Sequence, residues 1–422
     1  MVREGYKKTE VGLIPEDWEV FQVGELSEVK RGAGSQSITY VRTGGVRFIR
    51  INDFFEDSPV YVKDTDEIKR FTLTARDILF AGTGNTAGAS FIPKNEWIGL
   101  PHSYNAPRIR VNDKCVKQYL LFSLQSENVL NQQKACFVGA AQPFLDIRAI
   151  SRFKVTVPPL KEQAAIAEAL SGVDGLIDGL EKLIAKKRDI KTATMQQLLT
   201  GKTRLPGFGE GKGYKQTELG EIPEDWSVAG IGDYIDLLTG YPFPSSQYSD
   251  FGIRLLRGSN IKRGVTDWND DIVQFWPDVT TDISKYELAE GDIVIAMDGS
   301  LVGRSFAQLS GTDLPAILLQ RVARIRTTYF DLGYLKEWIC SEIFTAHCDK
   351  VKTVTAIPHI SPEDIRTFKV ACPPTKAEQK AIATLLSDML KELEVIHVRL
   401  NKTKSIKQGM MQELLTGKTR LI

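Results

Sequence analysis

Cysteine is scarce in this 422-residue chain, and the five present (Cys115, Cys136, Cys340, Cys348, Cys372) are odd in number, scattered and without a CxxC pair. That pattern argues against a disulfide frame or a cysteine-held zinc site, and for reduced, buried thiols in a cytoplasmic protein. Histidine is scarcer still. His102, His347, His359 and His397 pair with no acid or cysteine at ligand or triad spacing. No apolar run approaches the ~18 residues of a bilayer span. The N-terminus, MVREGYKKTEVG, is polar, so neither a membrane segment nor a signal peptide is expected. An excess of one charge is missing too: 54 basic residues face 53 acidic ones, for a net charge of +1. Nucleic-acid binders usually carry a basic excess, so this total counts mildly against one. Local clustering can still build a positive face that a sum hides.

Catalytic motifs are also absent. VPPL (Val157–Leu160) and CPPT (Cys372–Thr375) resemble an amino-methyltransferase motif but lack its leading amide or acid and its trailing aromatic. The loop GTGNTAG at Gly82–Gly88 has one residue too many between its last two glycines for a dinucleotide fingerprint. Gly201-Lys202-Thr203 ends a predicted helix instead of opening one, and Gln196 stands where a phosphate loop needs glycine. A helix-terminating glycine followed by cations explains that segment better. No metal, cofactor or catalytic site is therefore expected in this chain.

What is present is repetition. Glu162–Leu205 returns as Glu378–Leu421 at a constant offset of 216, with 20 identities in 44 positions, and LLTGKTRL closes both copies. Apolar columns recur at Ile166/Ile382, Leu170/Leu386, Val173/Met389, Ile177/Leu393, Leu180/Ile396, Ile184/Leu400 and Ile190/Ile406. From Leu170 to Ile184 the steps alternate three and four, the seam of a coiled coil. Each copy predicts a helix of about 35 residues, on the order of 50 Å long, and the two most simply bury each other. Gly172, Gly175 and Gly179 weaken the first by about 1 kcal/mol each relative to Ala, and the second has no glycine at the matching positions.

Between the helices a second pattern repeats. YKKTEVGLIPEDWEV (Tyr6–Val20) recurs as YKQTELGEIPEDWSV (Tyr214–Val228), with IPEDW identical, which suggests a turn whose indole docks on a neighbouring surface. VRFIRINDF (Val46–Phe54) reads as an alternating strand, and Asp77–Ile92 as strand, glycine-rich loop and strand. A helix is expected near Lys117–Leu130 and its counterpart near Leu332–His347. Asp77/Asp292, Gly84/Gly299 and Gly88/Gly303 share one offset, while residues between them differ almost everywhere. The expected fold is α+β: two similar globular domains of mixed strands and short helices, separated by two long antiparallel coiled-coil helices in a pseudo-two-fold internal repeat. The expected boundaries are 1–157 for the lead-in segment and first domain, 158–205 for the first helix and 206–213 for a glycine-rich linker. The second lead-in and domain follow at 214–372 and the second helix at 373–422.

Two domains of one skeleton but different surfaces, held at a fixed separation, suit a ligand with two distinct features, and duplex DNA fits. Base edges call for Arg, Lys, Asn and Gln at loop tips. The first domain offers Arg47, Arg50, Asn52, Asn85, Tyr104, Asn105, Arg108 and Gln142; the second offers Arg254, Arg257, Asn260, Lys262, Arg263, Arg304, Gln320 and Arg321. Arg108/Arg110 and Arg324/Arg326 occupy equivalent positions. Residues shared by domains that read different sequences should hold phosphate or the fold. The unshared Asn85, Asn105, Arg263 and Arg304 are then the better base readers.

The two variable domains, PPLKEQ and PPTKAEQ at the helix starts, LLTGKTRL at the helix ends and IPEDW at each lead-in together resemble the specificity subunit of type I restriction-modification systems. The resemblance covers essentially the whole chain. It implies a non-catalytic DNA-recognition subunit in which each target recognition domain reads half of an asymmetric, bipartite site and the helices set the gap. Two methyltransferase subunits carrying S-adenosylmethionine, and restriction subunits using ATP and Mg2+, are the implied partners. A scaffold with two protein-binding domains on a coiled coil is the alternative that the residues leave open.

Overall fold

The computed structural model describes residues 4–137, 143–209 and 213–421. Its chain divides into two compact units, Met1–Lys182 with His397–Ile422, and Leu183–Ile396. Both boundaries fall inside the long helices, Leu160–Leu199 and Lys376–Leu414. Each compact unit therefore takes in parts of both long helices.

In the first unit the lead-in hairpin pairs Tyr6–Thr9 with Gly12–Pro15, and Glu19–Gln22 pairs with Lys154–Val157, the last strand before the helix. Between them lies an antiparallel sheet in the order Ser27–Lys30, Arg108–Val111, Asp77–Phe80, Ser90–Phe91. Ile78, Leu79 and Phe80 are all fully buried, because this inner strand is covered on both faces and so reads as a continuous apolar run. The second unit repeats the plan. Its hairpin is Tyr214–Thr217 with Gly220–Pro223, its closing pair Ser227–Gly230 with Lys369–Cys372. Its sheet runs Asp236–Thr239, Val322–Arg326, Ile293–Ala296, Phe306–Gln308, Arg263–Gly264.

The duplicated acid and arginines have a structural reason. Asp77 is buried at the head of its strand, accepting from Thr74 N at 2.6 Å and from Arg110 Nε at 2.8 Å. Asp292 does the same with Ala289 N at 2.8 Å and Arg326 Nη2 at 2.8 Å. The predicted strand Val46–Phe54 stops at Phe48; Ile51–Phe54 is a 3-10 turn closed by the Asp53 carboxylate on Arg50 N at 2.9 Å. The two single helices expected from sequence are each broken in two, into Lys117–Leu124 and Glu127–Phe137, and into Leu332–Ile339 and Glu342–Val351. Ser341 makes the second break by capping the following helix through Phe344 N.

The long helices run 40 and 39 residues. Leu170, Leu180 and Ile184 on the first and Leu386, Leu393 and Leu400 on the second are buried. Within the first unit Lys404 meets Glu181 at 2.7 Å and Lys407 meets Asp174 at 2.6 Å; within the second, Lys187 meets Glu392 at 2.6 Å. Ile190 and Ile406 are exposed at 43% and 49%. The six-residue step from Ile184 to Ile190 leaves the three-four spacing and turns that column off the buried face.

Each LLTGKTRL segment docks on an IPEDW motif. Gly417 follows its helix at φ +70, and a Cβ there would stand 2.5 Å from Pro15 Cδ. Arg420 then reaches Asp17 at 2.7 Å and Glu162 at 2.7 Å, over the face of the fully buried Trp18. In the second unit Gly201, φ +69, sits against Pro223, and Arg204 binds Asp225 at 2.8 Å and Glu378 at 2.7 Å. The EQ that opens each helix supplies the clamp glutamate, and the TGKTR that closes a helix supplies the arginine. Glu378 and Glu162 are 1% and 6% exposed at the side chain, so deleting either arginine strands a buried carboxylate. Arg204→Ala should destabilise by about 3 kcal/mol, and Arg420→Ala, whose arginine water screens more, by about 2 kcal/mol. Urea unfolding checks both; wild-type midpoints would refute the clamp.

Candidate nucleic-acid interface

Three segments converge at one end of each sheet through the same three backbone hydrogen bonds. In the first unit Gly82 N donates to Asn105 O at 2.9 Å, Leu145 N to Gly82 O at 2.8 Å and Gly84 N to Pro143 O at 3.1 Å. In the second, Met297 N donates to Arg321 O at 2.9 Å, Ile360 N to Met297 O at 2.8 Å and Gly299 N to Pro358 O at 3.0 Å. This frame makes the glycine loop, the turn before the central strand and the loop after the short helices into one surface. It also sets structural equivalence: Asn105 corresponds to Arg321, and Asn85 to Ser300.

The frame is shared and the tips are not. In the first unit Asn85, Tyr104, Asn105 and Phe144 are exposed, and the Arg31 guanidinium lies 4.2 Å from the Tyr104 ring centre and 5.1 Å from that of Phe144. In the second the exposed tips are Ser300, Leu301, Gln320, Arg321, Val354 and Ile357. Arg321 has φ +65, the one non-glycine residue at positive φ among the described residues, and its guanidinium lies 3.6 Å from Asp298. Beneath the first turn, buried His102 keeps Nδ1 2.7 Å from Ala106 O. Burial pulls its pKa down to about 4, so at neutral pH the neutral ring donates that bond.

Several residues expected from sequence to meet DNA are engaged inside the fold. Arg108 is buried, with Glu28 at 2.8 Å and Asp77 at 3.7 Å. Lys30 and Arg108 hold the Glu28 carboxyl down to about 2. Asn260 is fully buried and closes its turn through Arg257 N at 3.2 Å and Asp267 O at 3.0 Å, as Asp53 does in the first unit. Arg47 pairs with Asp53 and Asp57, and Arg50 donates to Ser58 O at 3.0 Å. Their counterparts behave alike: Arg254 donates to Thr312 O at 3.1 Å over Trp268, and Arg257 donates to Ile272 O. These arginines sit at shared positions, and shared positions serve the fold.

Asn52, Asn85, Tyr104, Asn105, Gln320 and Arg321 are at the surface. Lys262 reaches Ser259 O at 2.9 Å, Arg263 pairs with Glu342 at 2.6 Å and Arg304 with Asp349 at 2.8 Å. Arg304, then Lys352, hold the Asp349 carboxyl down to about 2. Such exposed pairs are weak in water and can exchange a carboxylate for a phosphate. Gln142 lies outside the described residues. Sequence reasoning passed over Arg31, Phe144, Leu301, Val354 and Ile357. Arg31 did carry a signal, the Lys30-Arg31-Gly32 step; the exposed apolar residues carried none, since an apolar residue reads as core until the fold shows otherwise.

Among the described residues no group of three or more His, Cys, Asp and Glu could hold a metal ion. Burial pushes the thiols of Cys115, Cys340 and Cys348 up to about 12, so none is a nucleophile at neutral pH. The surface offers hydrogen bonds, stacking and cations. Its geometry depends on the glycine loop. A Cβ on Gly303 would stand 2.6 Å from Cys348 Cβ, whereas one on Gly299 meets nothing within 4 Å, and both have positive φ. Gly303→Ala should cost about 3 kcal/mol and Gly299→Ala only the backbone strain, about 1 kcal/mol. Equal unfolding midpoints for the two variants would contradict this anchoring.

Comparison with known proteins also finds the duplication. A family described as the type I restriction modification DNA specificity domain matches residues 15–188 and again 223–404. The MjaVIII specificity subunit of Methanocaldococcus jannaschii is 29% identical over 426 residues, covering 99% of this chain and 96% of that one. The putative MjaX specificity subunit of the same organism is 29% identical over 436 residues, covering 99% and 97%. The EcoAI specificity subunit of Escherichia coli reaches 33% over 174 residues, 40% of this chain and 29% of that one. Among solved structures, the S subunit of a type I restriction-modification system from M. genitalium superposes with a TM-score of 0.57 at 12% identity, over 94% of this chain and 96% of that one. A chain from a structure of type I system assembly and conformational transition superposes at 0.56 with 16% identity, over 96% and 99%. With the family matched twice along most of its length, the chain belongs to the type I restriction modification DNA specificity domain family and carries two copies of that domain.

Proposed function

We propose that this chain is the non-catalytic specificity subunit of a type I restriction-modification complex, with each unit reading one half of a bipartite DNA site. One observation carries the reading: the same hydrogen-bonded frame occurs twice and presents different side chains each time. A frame that is kept while its tips vary suits two readers of different sequences. Asn85 and Asn105 would read bases for the first unit, and Gln320 and Arg321 for the second, through bidentate bonds to adenine or guanine. Arg263 and Arg304, unshared between the units, would read bases beside them, and Asn52 and Lys262 would hold phosphates. Two methyltransferase subunits would bring S-adenosylmethionine, and restriction subunits ATP and Mg2+; this chain contributes only binding and placement.

The two long helices form, in this reading, an antiparallel coiled coil that sets the unread gap. Support comes from the ion pairs Asp174–Lys407, Glu181–Lys404 and Lys187–Glu392, in which numbers rise along one helix as they fall along the other. The test is methylation mapping in a host supplied with the methyltransferase subunit, with and without this chain. A heptad inserted after Lys187 and another after Glu392 keeps the seam in register and lengthens each helix by about 10 Å. At about 3.4 Å per base-pair step, the gap should grow by at most about three base pairs while both half-sites stay the same. A functional variant with its original gap would show that the helices do not set it.

A further inference from the structure

Large apolar side chains exposed one at a time are ordinary on a protein surface, but the second unit carries three on one hydrogen-bonded pair of loops. Val354 is fully exposed, Ile357 is 67% exposed and Leu301 55%. Leu301 belongs to the glycine loop, which Gly299 N joins to Pro358 O at 3.0 Å. The loop bearing Val354 and Ile357 is built, not slack. Thr353 N donates to His359 O at 3.0 Å, His359 N to Thr353 Oγ1 at 3.0 Å, and Thr355 Oγ1 to Ile357 O at 2.7 Å. These bonds close the loop at its base and present its apolar side chains outward. The frame does not require that character: in the first unit's sequence the matching positions, counted back from Pro143 and Pro358, are Gly139 and Gln142. Cations flank the tip, with Arg321 on the adjoining turn and Lys350 and Lys352 at the end of the preceding helix; Asp298 and Asp349 neutralise part of that charge.

Of the groups that base pairs display in the major groove, only the thymine 5-methyl is apolar. We propose that Val354 and Ile357 recognise thymine by its methyl group in the half-site read by the second unit, an inference that rests on the function proposed above. The same positions exchange chemistry between the units: an amide, suited to adenine, stands at 142, and a branched aliphatic side chain, suited to thymine, at 357.

Deoxyuridine tests this, because it differs from thymidine only by that methyl. The full chain assembled with its methyltransferase subunits is titrated with duplexes of the mapped site in which each thymine in turn is replaced by deoxyuridine. Replacement at a position contacted by Val354 or Ile357 should weaken binding about fourfold, the effect of burying one methyl. The double variant Val354→Ser, Ile357→Ser, altered only at exposed positions, should bind thymine and deoxyuridine duplexes alike and leave thymines of the other half-site unaffected. A second half-site without thymine, equal wild-type binding to both duplexes, or a preference that survives in the variant would each overturn the inference. Equal wild-type binding with a variant weakened on both duplexes would identify the tip as a wedge between bases. Binding with no sequence preference would overturn the proposed function itself, and this inference with it.

Discussion

The arginine forks at the ends of the long helices are the interaction on which the rest depends. Arg420 and Arg204 each hold two carboxylates, one from an IPEDW motif and one from the EQ that opens a helix. Each fork joins a lead-in segment, a helix start and a helix end in one place, and the buried tryptophan beneath gives it an apolar floor. The bidentate geometry explains arginine over lysine. The glycine one turn earlier explains why the proline of IPEDW can approach so closely. Because the first unit is closed by residues 397–422, its core includes Leu414 and Leu415, and the second unit likewise takes Met195, Leu198 and Leu199 from the first helix.

Around that closure the fold separates what must be constant from what can vary. Constant residues make the buried Asp–Arg pairs, and the three backbone bonds that gather the loops recur whatever side chains their residues carry. Variable residues stand at the tips of those loops, where replacing them disturbs no partner in the core. Among the described residues Arg321 is the one non-glycine residue at positive φ. A non-glycine residue held at positive φ costs on the order of 1 kcal/mol, which a merely structural turn would avoid by using glycine. It stands on the surface that the gathered loops form, where the proposed function gives that strain a use.

Much of this was legible in the chain. The repeats announced two units and two helices because duplicated apolar columns and duplicated motifs survive as letters. What the letters did not carry was pairing over distance. LLTGKTRL and IPEDW each read as a local feature, a helix stop and a turn, while their contact joins Arg420 to Asp17 across almost the whole chain. Partners buried in the fold were illegible for a related reason. Arg108 and Asn260 have the right chemistry for DNA, yet buried partners take up their hydrogen bonds. The rule that shared positions serve the fold already separated Arg108 from Asn105, and applied to Arg47/Arg254 and Arg50/Arg257 it would have removed four more. The apolar tip residues were illegible because exposure is a property of the fold.

The central claim is that one frame, used twice, reads two half-sites independently. The most direct measurement replaces residues 24–157 with 232–372, so that both positions carry the second unit's frame and tips, and maps methylation in a host supplying the methyltransferase subunits. The account predicts a site in which the second half-site sequence occurs twice with the gap unchanged. A functional chimaera whose two half-sites still differ would contradict it.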